Sequence, residues 1–400
     1  SRESAKAFWK RPSATPGSLS ASVRALRPHH TSYLGSARRA HERDGHVVEL
    51  YPADYSRGDA PLDHLLFALR YDGLALDVLH QVLPGMRSEL TQALRDRPTS
   101  KPLRQLWFLY EWLHGARLDL PDAPRLSYEP AADPTRYYTL PGERSPRHKV
   151  LNNLLGGPAC SPLVRRSAPL VAFDAKPLAE RARANTRQVD PELLARVVRF
   201  LITKETKTTF ALEREEVRGQ REERFVATLD RLRRYPHLGR QELIEIQNLL
   251  VDREFRERDY RRSQVFIGET LGGAERVHYI APAPGDLLAM MADLEALARQ
   301  VTASACPIPP VIAAAVVAFE FLYIHPFVDG NGRLHRLLLQ HVLARRELAP
   351  PGVVLPVSAA MLKDEHFYKD ELLPAVDRQV MPHLAHWDID DETRELHVRG

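Results

Sequence analysis

From residue 61 onward, apolar residues recur at the spacing of helical turns. Leu62, Leu65, Leu66 and Leu69 share a face, as do Leu76, Val78 and Leu79, and then Leu103, Leu106, Trp107, Leu109, Tyr110 and Leu113. This period predicts amphipathic helices in an N-terminal unit over residues 61–185, with Trp107, Phe108, Tyr110 and Trp112 in its core. Residues 1–60 show no such period. Pro, Ser, Gly and His are scattered there, and the segment reads as an irregular leader. Residues 120–146 are Pro-rich and polar and read as extended arms, and residues 152–163 form a turn-rich stretch to which the pattern assigns no role.

A second unit is expected over residues 186–350. Asp190 followed by Pro191 is a helix start, N-cap then first turn, and Leu193, Leu194, Val197, Val198 and Leu201 continue it. A Lys- and Thr-rich loop is expected next, and then a short helical run over 210–217. Residues 242–251 and 286–298 are helical by period. Residues 311–324 are apolar nearly all round, which predicts a buried central helix, and 333–348 follow as another. Between them, 263–266 and 276–280 are β-like runs around Gly268, Gly272 and Gly273 and predict a hairpin. Residues 351–400 are expected to hold C-terminal helix, including 370–384, and a short hairpin over 387–398. The fold class predicted is all-α with a small β-hairpin.

Composition changes this picture little. Of 400 residues, 44% are hydrophobic and 27% charged, as in ordinary globular proteins. The 56 Lys and Arg are interleaved with 52 Asp and Glu, with no basic stripe carrying aromatics, which argues against a nucleic-acid partner. No run is long and apolar enough for a membrane span, and residues 1–36 lack the apolar centre of a secretory signal. Cys160 and Cys306 match no metal spacing and read as small buried thiols in a reducing, cytoplasmic setting. The 17 histidines form no zinc string. The Arg, Ala, Leu and Pro content points to a GC-rich bacterial genome.

The chemistry is concentrated in residues 325–336, HPFVDGNGRLHR, between two apolar helices. Asp329, Gly330, Asn331 and Gly332 make a polar glycine-rich turn that leads into a helix. The first N–H groups of a helix have no internal partner and the dipole is positive there, so such a turn suits phosphates. Arg333 and Arg336 add fixed positive charge about one turn apart on one face. Asp329 offers a hard oxygen suited to Mg²⁺ bridging phosphates. His325 just precedes the turn and can act as a general base near neutral pH.

This string resembles the motif of the Fic family, His-Pro-Phe-x-Asp/Glu-Gly-Asn-Gly-Arg-x-x-Arg, at every defined position. The resemblance covers residue 191 to the chain end and implies a helical fold that transfers AMP from ATP to a Ser, Thr or Tyr hydroxyl of a protein target, self-modification included. It implies His325 as base, Phe327 as loop anchor, Asp329 as Mg²⁺ ligand, and Asn331 with the backbone at Gly330 and Gly332 as a cradle for the α- and β-phosphates. Arg333 and Arg336 would meet the outer phosphates, Arg336 the γ-phosphate. Residues 264–282 resemble the family's flap, in which Val265, Phe266, Ile267, Val277, His278 and Tyr279 would dock an extended target segment by strand addition. Tyr368 is placed either to stack on adenine or to pack.

Thr209 and Glu213 stand four apart and share a helical face. They resemble the family's inhibitory motif, Ser/Thr-x-x-x-Glu, in the subgroup that carries it upstream of the core, although Arg214 stands where that motif has Gly or Asn. A carboxylate paired with Arg336 would take the place of the γ-phosphate. Glu205, Glu215 and Glu216 are alternative brakes. Removal of AMP, transfer of another nucleotide and a non-catalytic nucleotide-sensing role are the rival readings. Ser358 reads as a helix N-cap, and His335 and His341 as packing or surface residues.

Overall fold

The computed structural model describes residues 30–43, 46–55, 58, 60–178, 180–181, 184, 189–212, 220–232, 235–271, 274–348, 353–364, 386–389 and 396–399. They are mainly helical, and the chain separates into two units, the first formed by residues up to 133 together with 142–153 and the second by 134–141 together with 154 onward. The first unit thus closes before the boundary expected near residue 185.

In the first unit, part of the segment expected to be irregular is a sheet. Strands β1 (His30–Gly35), β2 (Arg39–Arg43) and β3 (His46–Pro52) associate in the order β1-β3-β2, β1 parallel and β2 antiparallel to β3. The strands alternate too few apolar residues to stand out by period; Ser32, Glu49 and Tyr51 are buried side by side with polar atoms that must find partners. Helices α1 (Pro61–Tyr71), α2 (Leu76–Val82), α3 (Arg87–Asp96) and α4 (Lys101–His114) follow. On α4, Leu103, Leu106, Trp107, Phe108 and Tyr110 are buried as core, and Gly115, left-handed at φ 61°, ends the helix. Strands β4 (Glu129–Pro130), β5 (Glu143–Ser145) and β6 (Val150–Asn152) make a second small sheet within the arms. Glu111 gathers them: it accepts from Trp107 Nε1 at 2.7 Å, Leu118 N–H at 2.8 Å, Arg147 Nη2 at 3.0 Å and His148 Nε2 at 3.0 Å. Those donors outweigh its burial and hold its carboxyl down at about 2.

The second unit holds α5 (Ala168–Asp174), α6 (Pro191–Leu212), α7 (Gln220–Leu232), α8 (Arg240–Leu250), α9 (Leu287–Thr302), α10 (Pro310–Ile324), α11 (Asn331–Arg345) and α12 (Val357–Lys363). Asp190 caps α6 as expected, accepting from the N–H groups of Glu192 and Leu193 at 2.9 and 3.2 Å. The Lys- and Thr-rich loop expected after residue 201 is instead helical. The hydroxyls of Thr206 and Thr208 turn back onto the carbonyls of Ile202 and Lys204, so they decorate the helix rather than break it. Ser358 is not the cap of α12: it lies inside the helix, and its N–H and hydroxyl both donate to the buried Glu205. Hairpins β7–β8 (Phe266–Leu271 and Ala274–Ile280) and β9–β10 (His386–Ile389 and Leu396–Arg399) lie where expected. The helix expected over 370–384 lies outside the described residues. No helix among the described residues is long and apolar enough to cross a membrane.

The core of this unit is built on α9, α10 and α11, with Met291, Leu294, Leu297, Val317, Phe321, Leu337 and Val342 almost fully covered. His335 and His341 are inside it. Burial holds His335 down to about 3, with Arg336 adding to the effect, and His341 down to about 4. In the unfolded chain both titrate near 6.5. Their folded values are depressed, so the stability they support is complete above pH 6.5 and is lost as pH falls towards about 3. The free energy of unfolding is therefore expected to drop on acidification, by about 2 kcal/mol per histidine at pH 5. In the His335→Gln variant the slope between pH 7 and 5, followed by thermal melts, should flatten.

Candidate active site

Residues 325–330 connect α10 to α11, and the backbone of this connection is satisfied almost carbonyl by carbonyl. His325 adopts a left-handed conformation, φ 51° and ψ 59°, at the end of α10, and its N–H donates to Phe321 O at 3.0 Å. The helix leaves its last carbonyls without intrahelical partners. Here side chains take them: His325 Nδ1 meets Leu322 O at 3.1 Å, the Tyr279 hydroxyl donates to Tyr323 O at 2.5 Å, and Arg261 donates to His325 O at 2.8 Å and to Ile324 O at 3.4 Å. Arg261 N–H closes the series on Pro326 O at 2.9 Å.

Beyond His325, Phe327 is fully buried, its ring 5.7 Å from that of Tyr260 and 6.4 Å from that of Phe321. Asn331, buried on the first turn of α11, accepts from Phe327 N–H at 3.1 Å and donates to Phe327 O at 2.7 Å. Its amide thus braces the loop through both ends. Gly330 sits at φ 91°, and a Cβ there would stand 2.9 Å from Val251 Cγ1. Both the conformation and the fit against α8 require glycine. Gly332 lies in the first turn of α11, with its neighbours' N–H groups at the positive end of the helix.

Asp329 accepts from Gly330 N–H at 2.6 Å and from Arg333 Nη2 at 3.1 Å through each oxygen. Its side chain remains 36% exposed while that of Arg333 is only 4% exposed. Arg333 also donates to Leu250 O at 3.1 Å, with its guanidinium 5.7 Å from the Phe210 ring centre. Its side chain is thus held by Asp329, Leu250 and Phe210. Arg336 meets Thr209: Nε donates to the hydroxyl at 2.5 Å and Nη2 to the carbonyl at 3.1 Å, all of it buried. The structure thus brings Asp329 to Gly330 and Arg333 and Arg336 to Thr209, with Asn331 bracing the loop that His325 opens. Glu213 and Tyr368 lie outside the described residues. Of the alternative brakes, Glu215 and Glu216 do too, while Glu205 is buried, accepts from Ser358 and feels the charge of Arg336; burial raises its carboxyl above the usual range.

The hairpin expected at 264–282 is present, with a bulge between Ile267 and Gly268 and an outer edge on each strand. Val265, Phe266, Ile267 and Val277 are partly exposed. The ring of Tyr279 is buried and its hydroxyl fastens the hairpin to α10. The strand position of His278 is described but its side chain is not.

Three residues escaped the sequence reading. Gln247 on α8 donates to Asp329 O at 3.2 Å and Phe255 O at 2.9 Å, and Glu257 accepts from Val328 N–H at 2.7 Å. Burial, reinforced by Asp329, raises the Glu257 carboxyl. Arg261, 3% exposed, is the third. Arg253, Arg256, Arg258, Arg261 and Arg262 form a charged run in which the spacing gives no sign that one side chain is internal.

A histidine-bearing loop braced between two packed helices and fastened to a hairpin defines a class of mainly helical domain with a fixed signature loop. Residues 237–343, which contain that loop, match the model of the Fic/DOC family, and the chain carries a Fic-family domain. The protein adenylyltransferases Fic of Drosophila sechellia and Drosophila melanogaster are 36% identical over 111 residues, 28% of this chain. The matched segment spans 20% of the length of those relatives. Among solved structures, a Fic family protein from Desulfovibrio desulfuricans is 23% identical with a TM-score of 0.37, covering 52% of this chain and 72% of that one. Fic-1 from C. elegans is 17% identical with a TM-score of 0.33, covering 82% and 91%.

Proposed function

We propose that the chain transfers AMP from ATP to a hydroxyl of a protein, itself included. One observation supports the reading: His325 ends α10, and the loop it opens leads through Gly330 into the N-terminus of α11, which carries Asp329, Arg333 and Arg336 beside its first amides, a set of groups that suits a metal-bound triphosphate. A backbone carbonyl only accepts, so the contact with Leu322 O assigns the proton to Nδ1 and leaves the lone pair on Nε2. Nε2 then receives the proton of the target hydroxyl as its oxygen attacks the α-phosphorus. The bond to the β-phosphate oxygen breaks and pyrophosphate leaves. Asp329, part-exposed and acceptor-rich, fits Mg²⁺, which when bound neutralises charge on the phosphates. Such transfer needs positioning and charge compensation more than covalent chemistry from the protein. The hairpin edge would hold the target segment by strand pairing.

A brake is part of this reading. Arg336 is held by Thr209 on the last turn of α6, four residues before Glu213 in sequence, and this contact supports a brake in which the chain after Thr209 competes with the γ-phosphate for Arg336. Incubation with labelled ATP and Mg²⁺, read by intact mass, tests both ideas. The full chain is expected to label weakly with one or more AMP groups, and Glu213→Gly to label about tenfold faster, within the usual range of coupling energies. Unchanged labelling would remove Glu213 as the brake, and no AMP adduct on either form or on any added protein would remove the transferase.

A further inference from the structure

Arg261 is nearly fully buried, yet it contacts no carboxylate in the network that holds it. Nε donates to His325 O at 2.8 Å and Nη1 to Ser263 O at 2.9 Å. Nη2 donates to Pro282 O at 2.7 Å and to Ile324 O at 3.4 Å. Burying a guanidinium is costly, and burial draws its affinity for the proton down to about 10. The Glu257 carboxylate offsets part of that at a distance, and the negative end of α10, whose last carbonyls the guanidinium gathers, supplies the direct contacts.

The distribution of these bonds matters more than their number. Ser263 precedes β7 and Pro282 follows β8, so one guanidinium grips both feet of the hairpin. Its other face grips Ile324 and His325, and its own N–H takes Pro326 O. His325 is a non-glycine residue at positive φ, a conformation that survives only where its surroundings impose it. The carbonyl of that strained residue points at Arg261. Any tilt of the hairpin is thereby transmitted to the peptide that sets the direction of the imidazole.

We propose that Arg261 is a positioning residue that couples the hairpin to His325, so that the strand on which a target docks and the base that deprotonates it keep one fixed separation. The inference rests on the transfer reading above for its purpose, though not for its mechanics. Arginine is required because a planar fork reaches carbonyls on two sides at once, whereas a lysine offers a single nitrogen. Asn331 and Gly330 brace the phosphate side of the loop independently, so nucleotide binding should not depend on the clamp.

The experiment uses the full chain carrying Glu213→Gly, compared with the same chain carrying Arg261→Lys or Arg261→Met. Three readouts are taken: hydrogen–deuterium exchange, binding of a fluorescent ATP analogue with Mg²⁺, and the rate of self-modification. In Arg261→Lys, exchange is expected to rise together at 263–268, 279–282 and 324–328 while α9 stays protected. Analogue affinity should remain within about twofold, and the rate should fall about tenfold to a hundredfold, the scale on which small misplacements act. Arg261→Met should exceed it in each respect; if that variant does not fold, Arg261→Lys decides alone. Transfer within twofold of the parent would overturn the proposal. So would exchange rising in the hairpin or the loop alone, or equal loosening of α9, which would make the residue merely structural. Should the parent form no AMP adduct, the transfer reading fails by itself, and exchange with analogue binding still decides the coupling.

Discussion

Replacing His325 with alanine is expected to lower AMP transfer by about a hundred- to ten-thousandfold, the range associated with loss of a positioned general base. Its fold should survive. The imidazole is part-exposed and its backbone carbonyl and N–H keep their partners, Arg261 and Phe321. The lost contact to Leu322 O is worth about 1 kcal/mol, and alanine at positive φ adds a similar strain. Binding of ATP should be unchanged, because Asp329, Gly330, Arg333 and Arg336 lie beyond the substitution and are braced through Asn331 and Gln247. A transition-state interaction lost without ground-state binding lowers kcat and kcat/KM equally. Single-turnover labelling with saturating ATP, beside analogue binding, checks that pattern. Labelling of His325→Ala within a few fold of the parent would exclude the imidazole as base.

How much of this was legible beforehand depends on whether a residue's task is local. The loop motif is contiguous, so spacing alone placed His325, Asp329, the glycines and the arginines on one loop and helix start, and the all-round apolar run before it marked α10 as buried. The hairpin was legible for a similar reason, since its two β-like runs are neighbours in sequence. Arg261, Gln247 and Glu257 were not, because each serves carbonyls or amides of the loop from far along the chain: Gln247 reaches across 82 positions and Arg261 across 64. A buried arginine whose hydrogen-bond partners are main-chain carbonyls leaves no partner side chain for a spacing rule to find. The threonines of α6 misled in the opposite sense. Their weak helix propensity is overridden by back-bonding hydroxyls and by burial of Thr206 and Thr209 against the core. The strands over residues 30–52 were missed because their buried positions include serine and glutamate, which mask the alternation a half-buried sheet normally shows.

Phe327→Ala is expected to act through stability and so to separate from His325→Ala in kind. The ring is fully buried and packs edge-on to Tyr260 and obliquely on Phe321. Truncating a phenylalanine in such a place costs about 3–5 kcal/mol, lost transfer energy plus the cavity left behind. That is a large share of the roughly 5–15 kcal/mol that holds a domain folded. The damage is also directed. The Phe327 peptide is the one clasped by both ends of the Asn331 amide, so a loose residue 327 frees the first turn of α11, and with it Asp329 and Arg333. Phe327→Ala should therefore lose analogue binding and transfer together, in step with a lowered unfolding midpoint, where His325→Ala loses transfer alone. Phe327→Leu, which keeps most of the volume, should cost less than about 1.5 kcal/mol and recover binding. Denaturant melts with analogue titration on the three variants check this ordering; an alanine variant that melts within about 1 kcal/mol of the parent, well below the cavity cost, would mean that the ring does not hold the loop.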